Sequence, residues 1–195
     1  MPATILPFTY AALPQPIYID TTFLIRFLSA PNAGDPGYAN FMAEHTDCVA
    51  FARRIQAESV HTFISDWVLE EFVFVRSRIE MERAAGAVSL RWMQWLGQDP
   101  SRLAPIVDIS FGDFEKLQHG LGFSIVDLET DQQRAIRDTA RLFMRRYYLQ
   151  SRDAFHLAVC DTLGNRTVVT LDEHFARADG FSVLTCNRTI LSGTP

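Results

Sequence analysis

Short apolar stretches alternate with longer amphipathic stretches along the chain. Short apolar runs between turn residues predict strands, and apolar residues spaced three and four positions apart predict helices. Strands are predicted over 17–20, 60–64 (or an extended segment there), 106–109, 125–128, 167–170 and 181–185. Helices are predicted over 21–28, 38–57, from 65 or 66 through 74, 81–97, 130–148, 152–163 and 172–178. Strands that alternate with helices indicate an α/β sandwich with a mainly parallel sheet.

The length of the chain fits a single domain. Its 195 residues are enough to bury a hydrophobic core. Residues 1–15 are rich in proline and predict a loose N-terminal lead-in, so the domain itself is expected over 16–195. Residues 31–37 are rich in Pro, Gly, Asn and Asp, which predicts a loop.

The composition excludes several classes of protein. With 48% hydrophobic and 21% charged residues, the chain is typical of a globular protein rather than a disordered one. Cys48, Cys160 and Cys186 lack the spacing of a metal-binding motif. No apolar run reaches the about 20 residues of a membrane helix, and the N-terminus lacks the basic start of a signal peptide. We therefore expect a cytoplasmic protein with free thiols and no membrane partner.

Two aspartates follow predicted strands. Asp20 ends the stretch 17–20, and Asp172 comes just after 167–170. The carboxyl ends of parallel strands meet at one edge of a sheet, where α/β folds bind their ligands. Each aspartate would also serve as the cap of the helix that follows it. Their shared placement predicts an acidic group at this edge.

Two further acids lie on predicted helices. On a helical wheel, Glu71 falls in the apolar arc beside Trp67 and Val75, whereas Glu70 falls on the polar side. A carboxylate directed at a core needs a cation or a hydrogen-bond donor, for which an arginine partner would suffice. Asp153 opens the helix at 152–163, where an acid also complements the helix dipole.

A cluster of these acids would require a cation. Clustered carboxylates repel one another, and a divalent metal ion is the usual reason for a protein to tolerate them. Carboxylates without matching Cys or His ligands favour Mg²⁺ or Mn²⁺ over Zn²⁺. The candidate catalytic and metal-binding residues are Asp20, Glu71, Asp153 and Asp172.

Four segments of the chain resemble the PIN-domain family, which includes the VapC-type toxins of toxin–antitoxin modules. They are IYIDT at 17–21, SDWVLEE at 65–71, DAFHLA at 153–158 and VTLDEHF at 169–175. The resemblance maps the acids of the family onto Asp20, Glu71, Asp153 and Asp172, with Thr170 as an accompanying hydroxyl. The family often has Asn two positions after its first Asp, where this chain has Thr22, whose hydroxyl can also support the carboxylate.

The resemblance covers about 16–29, 60–76 and 124–186, so about 30–59 and 81–123 are expected to be insertions in a single PIN-like domain. It implies an α/β/α sandwich and an Mg²⁺- or Mn²⁺-dependent endoribonuclease. The acids would hold one or two metal ions that activate water and stabilise charge on the phosphate, or Asp153 or Glu71 would instead orient the water. RNA is the implied substrate, and an antitoxin protein is an implied partner.

Other residues near the motifs have less specific roles. Of the 18 basic residues only Lys116 is a lysine, and four arginines share one face of the helix at 130–148, namely Arg134, Arg137, Arg141 and Arg145. Such a face suits an RNA backbone as well as it suits solvent, although the net charge of −5 does not by itself indicate nucleic-acid binding. We expect His156, His174 and the three tryptophans to pack or lie exposed rather than bind ligands. The apolar run at 67–75 favours a buried or dimerising helix, and hence a homodimer.

Two other functions fit parts of the sequence. A non-catalytic PIN-like module would keep the acids and bind RNA or protein without cleaving it. A phosphatase of the haloacid-dehalogenase kind also begins with an aspartate after a strand, but it needs a second aspartate at the position of Thr22. The chain contains no glycine-rich phosphate loop, which disfavours a nucleotide triphosphatase.

Overall fold

A single parallel sheet forms the centre of the computed structural model, which describes residues 2–30 and 37–193. Its strands are β1 (Thr4–Pro7), β2 (Ile17–Ile19), β3 (Thr62–Ser65), β4 (Ser124–Val126), β5 (Thr167–Val169) and β6 (Ser182–Thr185). The helices are α1 (Thr21–Leu28), α2 (Tyr38–Ala57), α3 (Asp66–Ala87), α4 (Trp92–Gln98), α5 (Leu103–Leu121), α6 (Thr130–Tyr147), α7 (Ser151–Thr162) and α8 (Arg188–Leu191). Short 3₁₀ turns cover Pro100–Arg102 and Glu173–Arg177. The predicted α/β fold with a parallel sheet is confirmed. The loop predicted at 31–37 lies outside the described residues except for Gly37.

The order of the strands places a switch point between β2 and β5. The sheet runs β1-β6-β5-β2-β3-β4, so the chain leaves β2 toward one edge and leaves β5 toward the other. Helices α1 to α5 pack among themselves, and α6 packs on α7. Right-handed crossovers leaving the switch point in opposite directions are expected to put these two sets of helices on opposite faces. The crevice at the carboxyl ends of β2 and β5 is where an open α/β sheet binds its ligand.

The central strands are buried on both faces. Ile17, Tyr18 and Ile19 of β2 have no exposed surface, and neither do Val168 and Val169 of β5. Helices cover both sides of such a sheet, so its strands are continuous apolar runs rather than alternating ones. This explains why β2 and β5 were predictable from short apolar stretches.

The prediction of a loose lead-in over residues 1–15 is wrong for the residues that form a strand. Residues Thr4–Pro7 form β1, which pairs in parallel with β6. Phe8 follows and is buried, with its ring stacked on Phe51 of α2 at a centroid distance of 4.2 Å. Pro7 cannot donate a hydrogen bond to a neighbouring strand, and it is tolerated because β1 lies at the edge of the sheet.

The strand predicted at 106–109 is also wrong, because these residues belong to α5. The buried residues of α5 recur at helical spacing and are Ile106, Ser110, Phe114, Leu117 and Leu121. They face α3, which continues from Asp66 to Ala87, so the helix predicted at 81–97 is divided between α3 and α4. The Ser77 and Ser110 hydroxyls form a buried hydrogen bond of 2.9 Å between α3 and α5.

No helix in the described part of the chain is both long and apolar enough to span a lipid bilayer.

Substitution Phe8→Ala tests whether the N-terminal segment is part of the folded domain. Loss of a buried, stacked ring should lower the free energy of unfolding by about 3–5 kcal/mol, as measured by urea denaturation. Tyr10→Ala, in the same segment but 43% exposed, is the matched control and should change it by less than about 0.5 kcal/mol. Equal effects of the two substitutions would show that residues 2–10 do not contribute to the core.

Candidate active site

Asp20 occupies the end of β2 at the switch point of the sheet. Its side chain is 3% exposed, and its Oδ2 accepts hydrogen bonds from the Thr22 amide (3.2 Å), the Thr22 hydroxyl (2.6 Å) and the Thr170 hydroxyl (2.8 Å). Asp20 is therefore the cap of α1, as the simpler interpretation of the sequence required. All three hydrogen bonds are made to one oxygen, which leaves Oδ1 available on the side of His156, at 3.9 Å from its Nε2.

Two threonines join the ends of β2 and β5 around Asp20. The hydroxyls of Thr22 and Thr170 lie 3.1 Å apart. The Thr22 hydroxyl accepts a hydrogen bond from the Leu171 amide (2.9 Å), and the Thr170 hydroxyl accepts one from the Asp172 amide (3.0 Å). Thr22 thus supports the carboxylate in place of the asparagine that the family often has. Thr170 provides the accompanying hydroxyl that the resemblance implied.

Glu71 points into the same crevice from the second turn of α3. Its Oε2 accepts hydrogen bonds from the Thr21 hydroxyl (2.9 Å) and from Nε2 of His156 (3.2 Å), and its Oε1 forms a 3.0 Å ion pair with Arg152. Glu70 is exposed. Of the two glutamates it is Glu71 that faces the crevice, as the helical wheel predicted, and the arginine partner considered from the sequence is present as well.

A buried chain of hydrogen bonds supports Glu71 from behind. His156 is 2% exposed, and its Nδ1 lies 2.8 Å from the hydroxyl of Tyr18, which lies 2.7 Å from the hydroxyl of Ser65. Burial alone would lower the pKa of His156, but the hydrogen bond to Glu71 and the charge of Asp20 raise it. Burial likewise opposes ionisation of Glu71, yet the His156, Thr21 and Arg152 contacts lower its pKa to about 2. Glu71 is therefore a charged carboxylate with three protein donors.

Asp153 and Asp172 form a second group beside the first. Asp172, after β5, accepts a hydrogen bond from the His174 amide (2.8 Å), and Nδ1 of His174 lies 3.1 Å from its Oδ1. The same Nδ1 lies 3.6 Å from Oδ2 of Asp153, which opens α7. That Oδ2 is buried and makes no hydrogen bond within the described part of the chain. Asp153 therefore presents an unsatisfied oxygen to the crevice.

The two groups interact electrostatically. Burial, followed by the negative charges of Asp172 and Asp20, raises the pKa of Asp153 from 3.8 to about 6. Burial also raises the pKa of Asp20, although His156 opposes this shift. In the second group, the two aspartates share one histidine, His174, which is a positively charged partner only when it is protonated. Negative charge is therefore less well compensated around Asp153 than around Glu71.

The donor set fits a divalent cation. The candidate ligand atoms of Asp20, Glu71 and His156 lie within 4.8 Å of one another, as do those of Asp153, Asp172 and His174. Both ring nitrogens of His156 already have hydrogen-bond partners, so the carboxylate oxygens are the available ligands in the first group. Oxygen ligands suit Mg²⁺ or Mn²⁺, and a cation would satisfy the buried Oδ2 of Asp153.

The sequence did not identify the residues that hold the acids in place. His156 was expected to be packed or exposed rather than a ligand; it is packed, and it also contacts Glu71 and approaches Asp20. The available signal was its position one helical turn after Asp153, which places both side chains on the same face of α7. The roles of Arg152 and Tyr18 depend on contacts 81 and 138 residues away in the sequence, which a local pattern does not reveal.

Replacing Asp153 should make the metal-free protein more stable at neutral pH. The unfolded chain ionises Asp153 near pH 4, whereas the folded protein ionises it near pH 6, so wild-type stability falls as the pH rises between these values. In the presence of a chelator, Asp153→Asn should therefore exceed the wild type in free energy of unfolding by a margin that widens from pH 4 to pH 7. The expected widening is about 1–3 kcal/mol by urea denaturation.

Asp108→Asn, an exposed position on α5, is the matched control for this measurement and should show no widening. A difference between Asp153→Asn and wild type that is constant across this pH range would mean that the Asp153 carboxylate is not destabilised by its surroundings.

Comparison with known proteins identifies the family but no individual relative. The family model of the PIN domain matches residues 17–181, a span that includes both acidic groups and most of the sheet. No match was found among curated proteins. Because the family model covers most of the chain, this protein belongs to the PIN-domain family.

Proposed function

We propose that this protein is an endoribonuclease that depends on Mg²⁺ or Mn²⁺. The PIN domain is a nuclease-type fold, and the acids of this chain lie at the ligand-binding edge of its sheet. The single observation that carries the proposal is the buried Oδ2 of Asp153, which has no hydrogen-bond donor among the residues that the structure describes and lies in the negative field of Asp172 and Asp20. A cation at this position would offset the repulsion, and it would supply the activation of water that a metal-dependent nuclease uses.

The two groups of acids share one task in this proposal. Oδ1 of Asp20, Oδ2 of Asp153 and the Asp172 carboxylate would hold the metal, together with Glu71. When bound, Mg²⁺ or Mn²⁺ supplies activation of water and neutralisation of the charge on the phosphate. Oδ1 is the oxygen that Asp20 offers to the metal, because Thr22 and Thr170 hold its Oδ2 by hydrogen bonds.

Asp153, rather than Glu71, is the better acid to orient the attacking water. Glu71 already accepts three hydrogen bonds from protein donors, which leaves it less capacity to accept a further one from water. Oδ2 of Asp153 has no such donor within the described residues. The sequence left these two acids as alternatives, and the contacts favour Asp153.

The arginine face of α6 supports RNA as the substrate. Arg134, Arg137, Arg141 and Arg145 are exposed, while Ile136, Ala140, Phe143 and Tyr147 are buried on the other side of the helix. α6 packs along α7, which carries Asp153 at its first turn. A row of guanidinium groups on this helix would track the phosphate backbone and release counterions on binding.

The resemblance extends the proposal to the cellular setting. We propose that the protein acts in the cytoplasm as the toxin of a toxin–antitoxin module, as a homodimer that an antitoxin protein inhibits. Support comes from the family. A small DNA-binding protein encoded directly upstream, and its co-purification with this chain, would be the expected observations.

Cleavage of RNA by the purified protein tests the proposal. Single-stranded or looped RNA should be cut only when Mg²⁺ or Mn²⁺ is present, and a chelator should stop the reaction. Asp153→Asn keeps the shape of the side chain and removes its charge, so the cleavage rate should fall on the order of 100-fold or more. Product formation on a labelled RNA measures this rate.

Two further variants separate the site from the surface. Asp108→Asn, an exposed substitution on α5, should cleave like the wild type. Arg141→Ala should weaken RNA binding and reduce its salt dependence, with a smaller effect on the rate at saturating RNA. Wild-type cleavage by Asp153→Asn would contradict the carboxylate mechanism. RNA binding with no metal-dependent cleavage of any substrate would instead support the non-catalytic module.

A further inference from the structure

A pocket between α3 and α7 opens directly beside the acidic site. It has a volume of about 390 Å³, within the ~300–1,000 Å³ of small-molecule sites. It shares Glu71 and His156 with the acidic site, and its other walls are chiefly Trp67, Glu70, Phe74, Arg152 and Phe155. A ligand group in this pocket would therefore lie next to a phosphate held at the acids.

Aromatic rings form the apolar part of the pocket. Trp67 packs against Phe155 with a centroid distance of 5.1 Å and an angle of 54° between the rings, so their faces are not covered by parallel stacking. Phe74 is 48% exposed, so its ring is accessible to a ligand. Exposed aromatic rings beside a nucleic-acid site provide surfaces on which bases stack.

Arg152 connects this aromatic wall to the acidic site. Its guanidinium group pairs with Glu71 at 3.0 Å and lies 5.6 Å from the centroid of the Phe74 ring. Its side chain is 59% exposed, so part of the guanidinium group remains accessible to a ligand. Arg152 can therefore contact a phosphate at the boundary between the pocket and the acids.

Glu70 gives the pocket a chemical preference. It is exposed on the pocket wall. When ionised, its carboxylate accepts hydrogen bonds and cannot donate them. Cytosine, adenine and guanine each offer an exocyclic amino group, and acidic side chains accept hydrogen bonds from such groups. The ring donor of uracil is flanked by two carbonyl oxygens, which a carboxylate repels.

We infer that this pocket binds the base of the nucleotide adjacent to the phosphate at the acidic site, and that it prefers amino-bearing bases to uracil. The inference rests on the proposed nuclease function and names part of its substrate specificity. In the bound state the base stacks on the aromatic wall, its amino group donates to Glu70, and Arg152 contacts the flanking phosphate.

Nucleotide binding can be measured without any cleavage. In a Trp92→Phe/Trp95→Phe background, Trp67 is the only tryptophan, and its emission reports stacking in the pocket. The probes are AMP, CMP, GMP and UMP, each titrated with Mg²⁺ and again with a chelator. We expect quenching by the three amino-bearing nucleotides at lower concentrations than by UMP. Isothermal titration of the unmodified protein should give the same order.

Two substitutions assign the effect to the pocket. Phe74→Ala should weaken binding of all four nucleotides on the order of 10-fold, since one stacking surface is lost. Phe111→Ala, which removes an equally exposed aromatic ring from α5, is its control and should have no effect. Glu70→Gln should reduce the discrimination against UMP, because its amide can also donate, whereas the exposed Glu115→Gln should preserve it.

The outcomes separate this inference from the proposed nuclease function. Base discrimination that depends on Glu70 in both Mg²⁺ and chelator supports the pocket even if no RNA is ever cleaved. Equal affinity for all four nucleotides, or unchanged binding by Phe74→Ala, overturns the inference even if the protein is a nuclease. Trp67 emission that changes with protein concentration but not with nucleotide would assign the pocket to a second copy of the chain, which also overturns it.

Discussion

Repulsion among buried carboxylates at the switch point of the sheet is the constraint on which this structure depends. The protein offsets this repulsion more completely around Glu71 than around Asp153. Around Glu71, the protein supplies Arg152, His156 and a threonine hydroxyl, and the pKa of Glu71 falls to about 2. Around Asp153 the pKa rises to about 6 and a buried oxygen lacks a donor among the described residues. The proposed cation therefore belongs beside Asp153, where the protein itself offsets the negative charge least.

The parallel sheet makes this arrangement possible by bringing distant residues to one edge. Ile19 of β2 pairs with Val169 of β5, so the next residues, Asp20 and Thr170, lie side by side. The hydroxyls of Thr22 and Thr170 bind Oδ2 of Asp20 and leave its Oδ1 free of them. α3 and α7 carry Glu71 and Asp153 in their first two turns, at the ends of these helices that lie nearest the crevice. The same two helices continue outward as the walls of the proposed base pocket, so binding of a base and of its phosphate would use one continuous surface.

The sequence predicted those features that depend on local pattern. Fully buried strands such as β2 and β5 appear as apolar runs, and each acid has a position that a wheel or a strand end can identify. The apolar run at 106–109 is ambiguous between strand and helix, and only its packing against α3 makes it helical. β1 was missed because prolines surround it and its pairing partner lies at the other end of the chain. The donors to Asp20 and Glu71 come from residues as far as 150 positions away, beyond any local pattern.

Stabilisation of the fold by metal tests the central claim most directly. A metal that binds only the folded acidic site raises the free energy of unfolding by RT ln(1 + [L]/Kd), about 2.7 kcal/mol at 100 times Kd. Thermal melts of the wild type with Mg²⁺ or Mn²⁺ should therefore shift upward with metal concentration, and the shift should be largely absent in Asp20→Asn. Asp108→Asn should keep the full shift, which controls for general effects of removing an exposed aspartate. An equal metal-induced shift in wild type and Asp20→Asn would show that the metal binds elsewhere and would contradict the account.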